Sequence, residues 1–164
     1  MLSKRGFLLG GLALGAVAVA RQGKGRSTAD AAGGASFDIV RSEEEWRRLL
    51  TPAQFRVLRE HDTERPRSSP LNQEHRAGTY LCAGCDLPLF SSETKFDSGT
   101  GWPSFWAPLA TSIGTSEDRR LFLVRTEVHC RRCGGHLGHV FEDGPPPTGL
   151  RYCLNGIALN FVPA

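Results

Sequence analysis

The sequence has little net charge and almost no methionine. Its 164 residues include 20 lysines and arginines against 17 acidic residues, so the net charge is only +3, and Met1 is the single methionine. So small an excess leaves no basic surface of the kind that binds nucleic acid. The most apolar run, residues 6–20, is also shorter than the roughly 20 residues that a membrane-spanning helix requires. We therefore expect neither a nucleic-acid partner nor a stable membrane span.

The first 20 residues are typical of an export signal. Lys4 and Arg5 form a basic start, residues 6–20 are uncharged and mostly apolar, and small residues around Ala18 offer cleavage sites. Residues 3–8 resemble a twin-arginine signal in which Lys4 replaces the first arginine. We predict a signal peptide at residues 1–20 and export to the periplasm. An uncleaved segment would instead tether the protein to the membrane.

Two short helices are predicted at the start of the domain that follows. Residues 21–36 are rich in Gly, Ala, Ser and charge and are typical of a flexible linker, which leaves residues 37–164 as one domain. Ser42 with Glu45, and Thr51 with Gln54, have the spacing of capping boxes. The residues that we expect these helices to bury are Trp46, Leu49, Leu50, Phe55, Val57 and Leu58.

The second half of the domain is predicted to form β-strands. A polar arm over residues 62–78 precedes a short strand at residues 80–82, and residues 121–130 form a longer branched and aromatic strand. Residues 152–161 are predicted as one strand, because apolar residues alternate from Ile157 to Phe161. The sum is a mainly β fold, with a small helical cap at its N-terminus and an antiparallel core.

Four of the five cysteines form two C-x-x-C pairs, Cys82 with Cys85 and Cys130 with Cys133. Two such turns can supply the four thiolates of a tetrahedral zinc site. Two disulfides are an alternative, since export leads to an oxidising compartment. A redox-active C-x-x-C is a third possibility, but the βαβ context that it needs is missing. The paired spacing favours zinc, which would tie together two distant segments.

The fifth cysteine, Cys153, stands alone. An unpaired thiol in an exported protein is either a buried apolar residue or a reactive nucleophile. Arg151, His136 and His139 lie nearby in the sequence, and basic neighbours lower the pKa of a thiol. These residues leave both interpretations open.

Several sequence blocks, in order, resemble the methionine-R-sulfoxide reductases of type B. They are Gly101-Trp102-Pro103-Ser104-Phe105, His136-Leu137-Gly138-His139-Val140-Phe141, Asp143-Gly144-Pro145 and Thr148-Gly149-Leu150-Arg151-Tyr152-Cys153-Leu154-Asn155. The resemblance covers residues 38–162. It implies two antiparallel sheets, a four-cysteine zinc site and reduction of methionine-R-sulfoxide in oxidised proteins or peptides. A mature enzyme without methionine would then hold no target of its own.

The resemblance also implies a role for each residue of the site. Cys153 is the nucleophile, which becomes a sulfenic acid. The polar residues around it are His139, His136, Asn155, Asp143 and Arg151. The aromatic residues on the substrate side are Trp102, Phe105 and Phe141. The zinc ligands are Cys82, Cys85, Cys130 and Cys133. Taken singly, a tryptophan is as typical of a core, and an aspartate before Gly-Pro is as typical of a turn.

The sequence departs from the family pattern at two places. Thr100 stands where many members carry a second, resolving cysteine, so the usual internal recycling is in doubt. An external thiol or a thioredoxin-like protein must then reduce Cys153. Gly156-Ile157-Ala158 follows Asn155, where small and hydroxyl residues are commoner.

Two rival functions use the same cysteines differently. A zinc-ribbon binding module would explain the four paired cysteines, but it has no use for a reactive Cys153. A disulfide exchange enzyme would place the chemistry at a C-x-x-C pair. The reactivity of the Cys153 thiol therefore discriminates between the three functions.

Overall fold

The computed structural model describes residues 36–119 and 124–164. The predicted signal peptide and residues 21–35 of the predicted linker lie outside the described residues. No helix within the described ranges combines the length and the apolar character needed to cross a bilayer.

Two helices begin the fold, and both start with the predicted capping boxes. Helix α1 covers Glu43–Leu49 and helix α2 covers Pro52–Glu60. Ser42 and Thr51 each accept a hydrogen bond from the backbone of the third helical residue, whose side chain returns it. The predicted burial is confirmed except at Leu49, which is 57 % exposed. Helix α1 ends there, and of the two adjacent leucines only Leu50 turns into the core.

Two antiparallel sheets follow, which confirms the predicted fold class. The strands are β1 (Gly78–Cys82), β2 (Pro88–Ser91), β3 (Lys95–Phe96), β4 (Ser104–Phe105), β5 (Ile113–Asp118), β6 (Arg125–Cys130), β7 (His136–Phe141), β8 (Arg151–Leu154) and β9 (Leu159–Pro163). The three-stranded sheet has the order β2–β1–β9, and the six-stranded sheet has the order β3–β4–β8–β7–β6–β5. Three 3-10 turns, at Pro70–Gln73, Ser92–Thr94 and Gly156–Ala158, interrupt the described chain.

The prediction of one strand over residues 152–161 is wrong. The chain forms β8 in the larger sheet, turns at Gly156–Ala158, and continues as β9 in the smaller sheet. The turn has a cause distant in sequence, because the Glu64 carboxylate accepts hydrogen bonds from the backbone N–H groups of Gly156 and Ile157. The nucleophile candidate Cys153 therefore lies just before the chain changes sheets.

The core fills the space between the sheets and the helices. Tyr80, Phe90 and Phe105 are fully buried and pack ring against ring, with centroids 4.6 to 4.9 Å apart for the two contacts of Phe105. Aromatic pairs of this kind contribute about 1 kcal/mol beyond the burial of their area. Phe105 of this aromatic cluster belongs to β4, the strand that pairs with β8 of the candidate site.

Candidate active site

Three adjacent strands bring Cys153 into line with Ser104 and His139. Strand β8 lies between β4 and β7, and Cys153 is the direct pairing partner of Ser104 on one side and of His139 on the other. Neighbours on paired strands have side chains about 5 Å apart. The sheet register, rather than a loop, thus places the predicted nucleophile beside a predicted acid.

Arg151 lies two residues before Cys153 and so emerges on the same face of β8. Its guanidinium donates two 2.8 Å hydrogen bonds to the Asp143 carboxylate. The guanidinium carbon also lies 4.4 Å from the centre of the ring of Phe141, the residue of β7 that pairs with Arg151. Asp143 is exposed and touches Arg151 rather than Cys153, so the structure gives it a positioning contact.

Burial raises the pKa of the Cys153 thiol above its ordinary value. The Thr100 hydroxyl, the Arg151 charge and the Ser104 hydroxyl each act in the opposite direction. Basic neighbours were expected to make a low-pKa thiol, but the desolvation of the half-buried sulfur outweighs them in the resting protein. The stabilising groups are nevertheless in place around the sulfur.

A short chain of hydroxyl groups leads to the thiol. Ser98 Oγ lies 2.7 Å from Ser104 Oγ and 2.8 Å from Thr100 Oγ1. Thr100 Oγ1 in turn lies 3.8 Å from Cys153 Sγ. Thr100, which replaces the resolving cysteine of the resembled family, is therefore in contact with the sulfur. Sequence analysis had not identified Ser98 or Ser104 as part of this arrangement.

His139 is held by a carboxylate that the sequence did not reveal. Its Nε2 lies 2.8 Å from Asp118 Oδ2, and Arg125 Nη2 donates to the same oxygen at 2.7 Å. Because a carboxylate only accepts, Nε2 carries the hydrogen. Burial lowers the pKa of His139, Asp118 raises it, and the Arg125 charge lowers it further. The net effect holds the pKa of His139 below its ordinary value.

His136 lies behind His139 rather than in the cavity. The residue as a whole is 2 % exposed, and its ring centre is 5.4 Å from that of His139. His136 Nδ1 donates to Glu127 Oε1 at 2.7 Å, and His61 Nδ1 lies 3.0 Å from the same oxygen. The structure places His136 as a support for His139.

The polar arm after α2 closes the other side of the site. Its Glu64 backbone N–H donates to Asn155 Oδ1 at 3.0 Å, and its carbonyl accepts from the Trp102 indole at 3.2 Å. Asn155 is buried and also donates to the Leu137 carbonyl. Asn155 thus joins the arm to β7, and Trp102 is held against the same arm. No periodicity in the sequence marked Glu64.

These elements enclose a cavity of about 130 Å³. Its lining residues are Thr63, Trp102, Arg125, Gly138, His139, Phe141, Cys153, Leu154 and Asn155. Of the predicted aromatic residues, Trp102 and Phe141 line it, whereas Phe105 is 0 % exposed and packs in the core. The structure therefore does not bring Phe105 to a substrate, because its ring faces Phe90 and Tyr80 on the opposite side of the sheet.

Gly138 lets the two central strands approach closely. A Cβ atom at this position would collide with the carbonyl oxygen of Cys153. A larger residue would push β7 away from β8 and separate His139 from Cys153. The glycine between the two histidines is thus a requirement of the site's geometry.

The four paired cysteines form a second cluster. Their sulfur atoms all lie within 4.8 Å of one another. Cys82 Sγ is 3.7 Å from Cys133 Sγ, and Cys85 Sγ is 3.5 Å from Cys130 Sγ. These distances far exceed the roughly 2.05 Å of a disulfide bond. The cluster, which joins the end of β1 to the turn between β6 and β7, is compatible with a structural metal ion.

Comparison with protein families identifies the chain. The SelR domain model matches residues 50–163, about seven tenths of the sequence. The chain belongs to the SelR family. Proteins named peptide methionine sulfoxide reductase MsrB are similar to this SelR chain: that of Bradyrhizobium diazoefficiens is 56 % identical over 126 residues, covering 76 % of this chain and 91 % of the relative. The protein of that name from Methanosarcina barkeri is 55 % identical, over 75 % of this chain and 87 % of its own.

Proposed function

We propose that this protein reduces the R epimer of methionine sulfoxide in oxidised proteins and peptides, with Cys153 as the nucleophile. The chain belongs to the SelR family and is similar to the named relatives, and these two findings support the general activity of a peptide methionine sulfoxide reductase. The observation that carries the finer proposal is that Cys153, His139 and Trp102 line one cavity. A thiol, an imidazole and an apolar wall are the three groups that this reaction needs.

The reaction requires an acid because sulfoxide sulfur is a weak electrophile until its oxygen is protonated or strongly hydrogen-bonded. His139 takes up the proton that Cys153 loses on ionisation, and the imidazolium, which Asp118 stabilises, passes this proton to the sulfoxide oxygen. The Cys153 thiolate then attacks the sulfoxide sulfur, the protonated oxygen moves to the Cys153 sulfur as its bond to the methionine sulfur breaks, and methionine leaves with the electron pair of that bond. One thiolate, one sulfoxide and one proton give one sulfenic acid and one methionine, so the cysteine sulfur is oxidised by two electrons.

Arg151 supports the thiolate, and Trp102 selects the substrate. The Arg151 charge favours the ionised sulfur, while Asp143 and Phe141 hold the guanidinium in place. Trp102 offers an apolar face for the S-methyl group, so that the sulfoxide oxygen faces His139. Only one epimer can satisfy both contacts at once.

Zinc is the ion that we propose for the four-cysteine cluster. Four thiolates at about 2.3 Å from a tetrahedral ion lie about 3.8 Å from one another. The two measured sulfur–sulfur distances of 3.5 and 3.7 Å are close to this value. Zinc has no redox chemistry here and would supply cross-linking alone, so the four cysteines are occupied and do not recycle Cys153.

An external thiol therefore regenerates the enzyme. It condenses with the Cys153 sulfenic acid to give a mixed disulfide and water, and a second thiolate releases Cys153. Thr100 occupies the contact position beside the sulfur and has no thiol to do this internally. The donor is a small dithiol or a thioredoxin-like protein.

The deciding experiment uses separated R and S epimers of a methionine sulfoxide peptide. We expect turnover of the R epimer and little of the S epimer. A matched pair of variants tests the selecting wall: Trp102→Ala should lower turnover and reduce the preference, whereas Trp106→Ala, outside the cavity lining, should change neither. Equal reduction of both epimers by the wild-type protein would contradict the proposal.

We also propose that residues 1–20 direct export to the periplasm. The basic start and apolar run of that segment support this. Cell fractionation with N-terminal sequencing tests it, and a mature chain starting near residue 21 is expected. A cytoplasmic chain that retains Met1 would contradict it.

A further inference from the structure

Beside the active site lies a cluster of two histidines and one glutamate that the proposed reaction does not use as a unit. His61, Glu127 and His136 each offer a ligand atom, and these atoms lie within 4.8 Å of one another. His61 comes from the end of α2, Glu127 from β6 and His136 from β7. Three separate elements thus converge on one point.

The spacing within this cluster suits a six-coordinate metal ion. Glu127 Oε1 lies 2.7 Å from His136 Nδ1 and 3.0 Å from His61 Nδ1. Adjacent ligands at about 2.1 Å from an octahedral ion lie about 3.0 Å apart, and a set of two histidines and one carboxylate with open positions is a known ligand type for divalent transition metals. The two distances from Glu127 Oε1 to the histidine nitrogens lie within a few tenths of an ångström of that spacing.

The surroundings support the carboxylate and leave an entrance. Ser116 Oγ donates to the other carboxylate oxygen, Glu127 Oε2, at 2.6 Å, which fixes its orientation as outer partners of metal ligands do. The side chains of His136 and Glu127 are 3 % and 11 % exposed, whereas that of His61 is 38 % exposed. Water and ions reach the cluster from the His61 side.

We infer that this cluster binds a divalent transition-metal ion such as Ni²⁺, and that the bound ion inhibits the enzyme. The inhibition rests on the proposed function, because His136 supports His139 at a ring distance of 5.4 Å. An ion on His136 Nδ1 replaces the hydrogen bond to Glu127 and places positive charge behind His139. The His136 ring, drawn toward the ion, leaves its packed position against the His139 ring, so His139 is no longer held in place beside Cys153.

The binding test uses zinc-loaded wild-type protein and Ni²⁺ as the probe. Calorimetry should give one saturable Ni²⁺ site per chain, with the zinc content unchanged. His61→Asn, which keeps a residue that tolerates the left-handed backbone at this position (φ 57°), should weaken binding by at least about tenfold. His75→Asn, at an exposed histidine outside the cluster, should not. Paramagnetic broadening of the His61 and His136 ring signals, but not those of His75, gives an independent readout.

The inhibition test is a single turnover without added thiol, because dithiols bind metal ions. Ni²⁺ should slow methionine formation in the wild type and in His75→Asn but not in His61→Asn. Binding that survives His61→Asn, or no saturable binding to the wild type, overturns the site. Binding at the site without slower turnover overturns the inhibitory role. A protein that lacks activity before Ni²⁺ is added contradicts the proposed function instead, and the binding result still stands by itself.

Discussion

The chain uses cysteine in two regions with opposite surroundings. In the four-cysteine cluster each sulfur faces other sulfur atoms at 3.5 to 3.7 Å, at the joint between β1 and the β6–β7 turn. Around Cys153 the contacts are instead a threonine hydroxyl at 3.8 Å and an arginine charge, in the middle of a sheet and at the wall of a cavity. The same side chain is structural in one setting and a nucleophile candidate in the other, because neighbours and access determine what a thiol does.

The largest expected effect comes from removing the thiol of Cys153, the nucleophile candidate in this comparison. Cys153→Ser should lower reduction of methionine-R-sulfoxide by at least about a thousandfold, because removing a nucleophile leaves only binding and electrostatic contributions. Metal content and the thermal midpoint should stay at wild-type values, since Cys153 is outside the metal cluster. Activity within tenfold of the wild type would show that another group attacks the sulfoxide.

Breaking the cluster should instead cost stability. Cys130→Ser removes one of the four proposed zinc ligands, so the protein should lose the proposed zinc, and because metal binding contributes to folding, it should also lose stability. A loss of about 3 kcal/mol or more lowers the thermal midpoint by about 10 °C in a domain of this size. Metal analysis with a thermal melt measures both. If the purified wild type holds two disulfides and no zinc, the assignment of the cluster is wrong.

A third variant gives Cys153 a neighbouring thiol, which each sulfur of the four-cysteine cluster already has. Thr100→Cys places a second sulfur where Thr100 Oγ1 now contacts Cys153 Sγ. After one turnover the variant should hold an internal disulfide, and a thioredoxin-like donor should support several-fold faster turnover than in the wild type. The wild type should yield a trappable Cys153 sulfenic acid under the same conditions. Mass analysis that finds wild-type Cys153 joined to Cys82, Cys85, Cys130 or Cys133 would make a paired cysteine the resolver.

The smallest effect concerns ionisation of Cys153. Thr100→Val removes a hydroxyl that lowers the pKa of the thiol while keeping the side-chain shape. The pKa of Cys153 should rise further, so the pH at which alkylation by iodoacetamide reaches half its maximal rate should move upward. Thr126→Val, on an exposed position of β6, is the matched control and should leave that pH unchanged. A downward shift would mean that the hydroxyl destabilises the thiolate.

Local sequence patterns predicted local structure well. The capping boxes at Ser42 and Thr51 are complete within four residues, so they could be recognised without the fold. The C-x-x-C spacing of the paired cysteines is visible in the sequence, and the four sulfur atoms lie together in the structure. Three residues of the motif blocks, His139, Trp102 and Cys153, line one cavity, and their roles there stay predictions.

The residues that sequence analysis missed act over long separations. Glu64 bonds residues more than 90 positions away, and Asp118 reaches His139 across 21 residues. A single carboxylate in a polar arm or an exposed strand has no pattern that distinguishes it from a solvated charge. The error at residues 152–161 has the same origin, because alternation continued through a turn that Glu64 imposes from outside.

The corner after Cys153 also determines which substitutions this lineage can accept. The Glu64 carboxylate accepts hydrogen bonds from the backbone N–H groups of residues 156 and 157. These two hydrogen bonds do not depend on the side chain at Ile157. Gly156 is different, because a Cβ atom there would collide with the Ser69 hydroxyl. Other side chains should therefore be tolerated at position 157 as long as they fit the core packing. A larger residue at 156 becomes acceptable only when position 69 shrinks with it, so the two sites should change together.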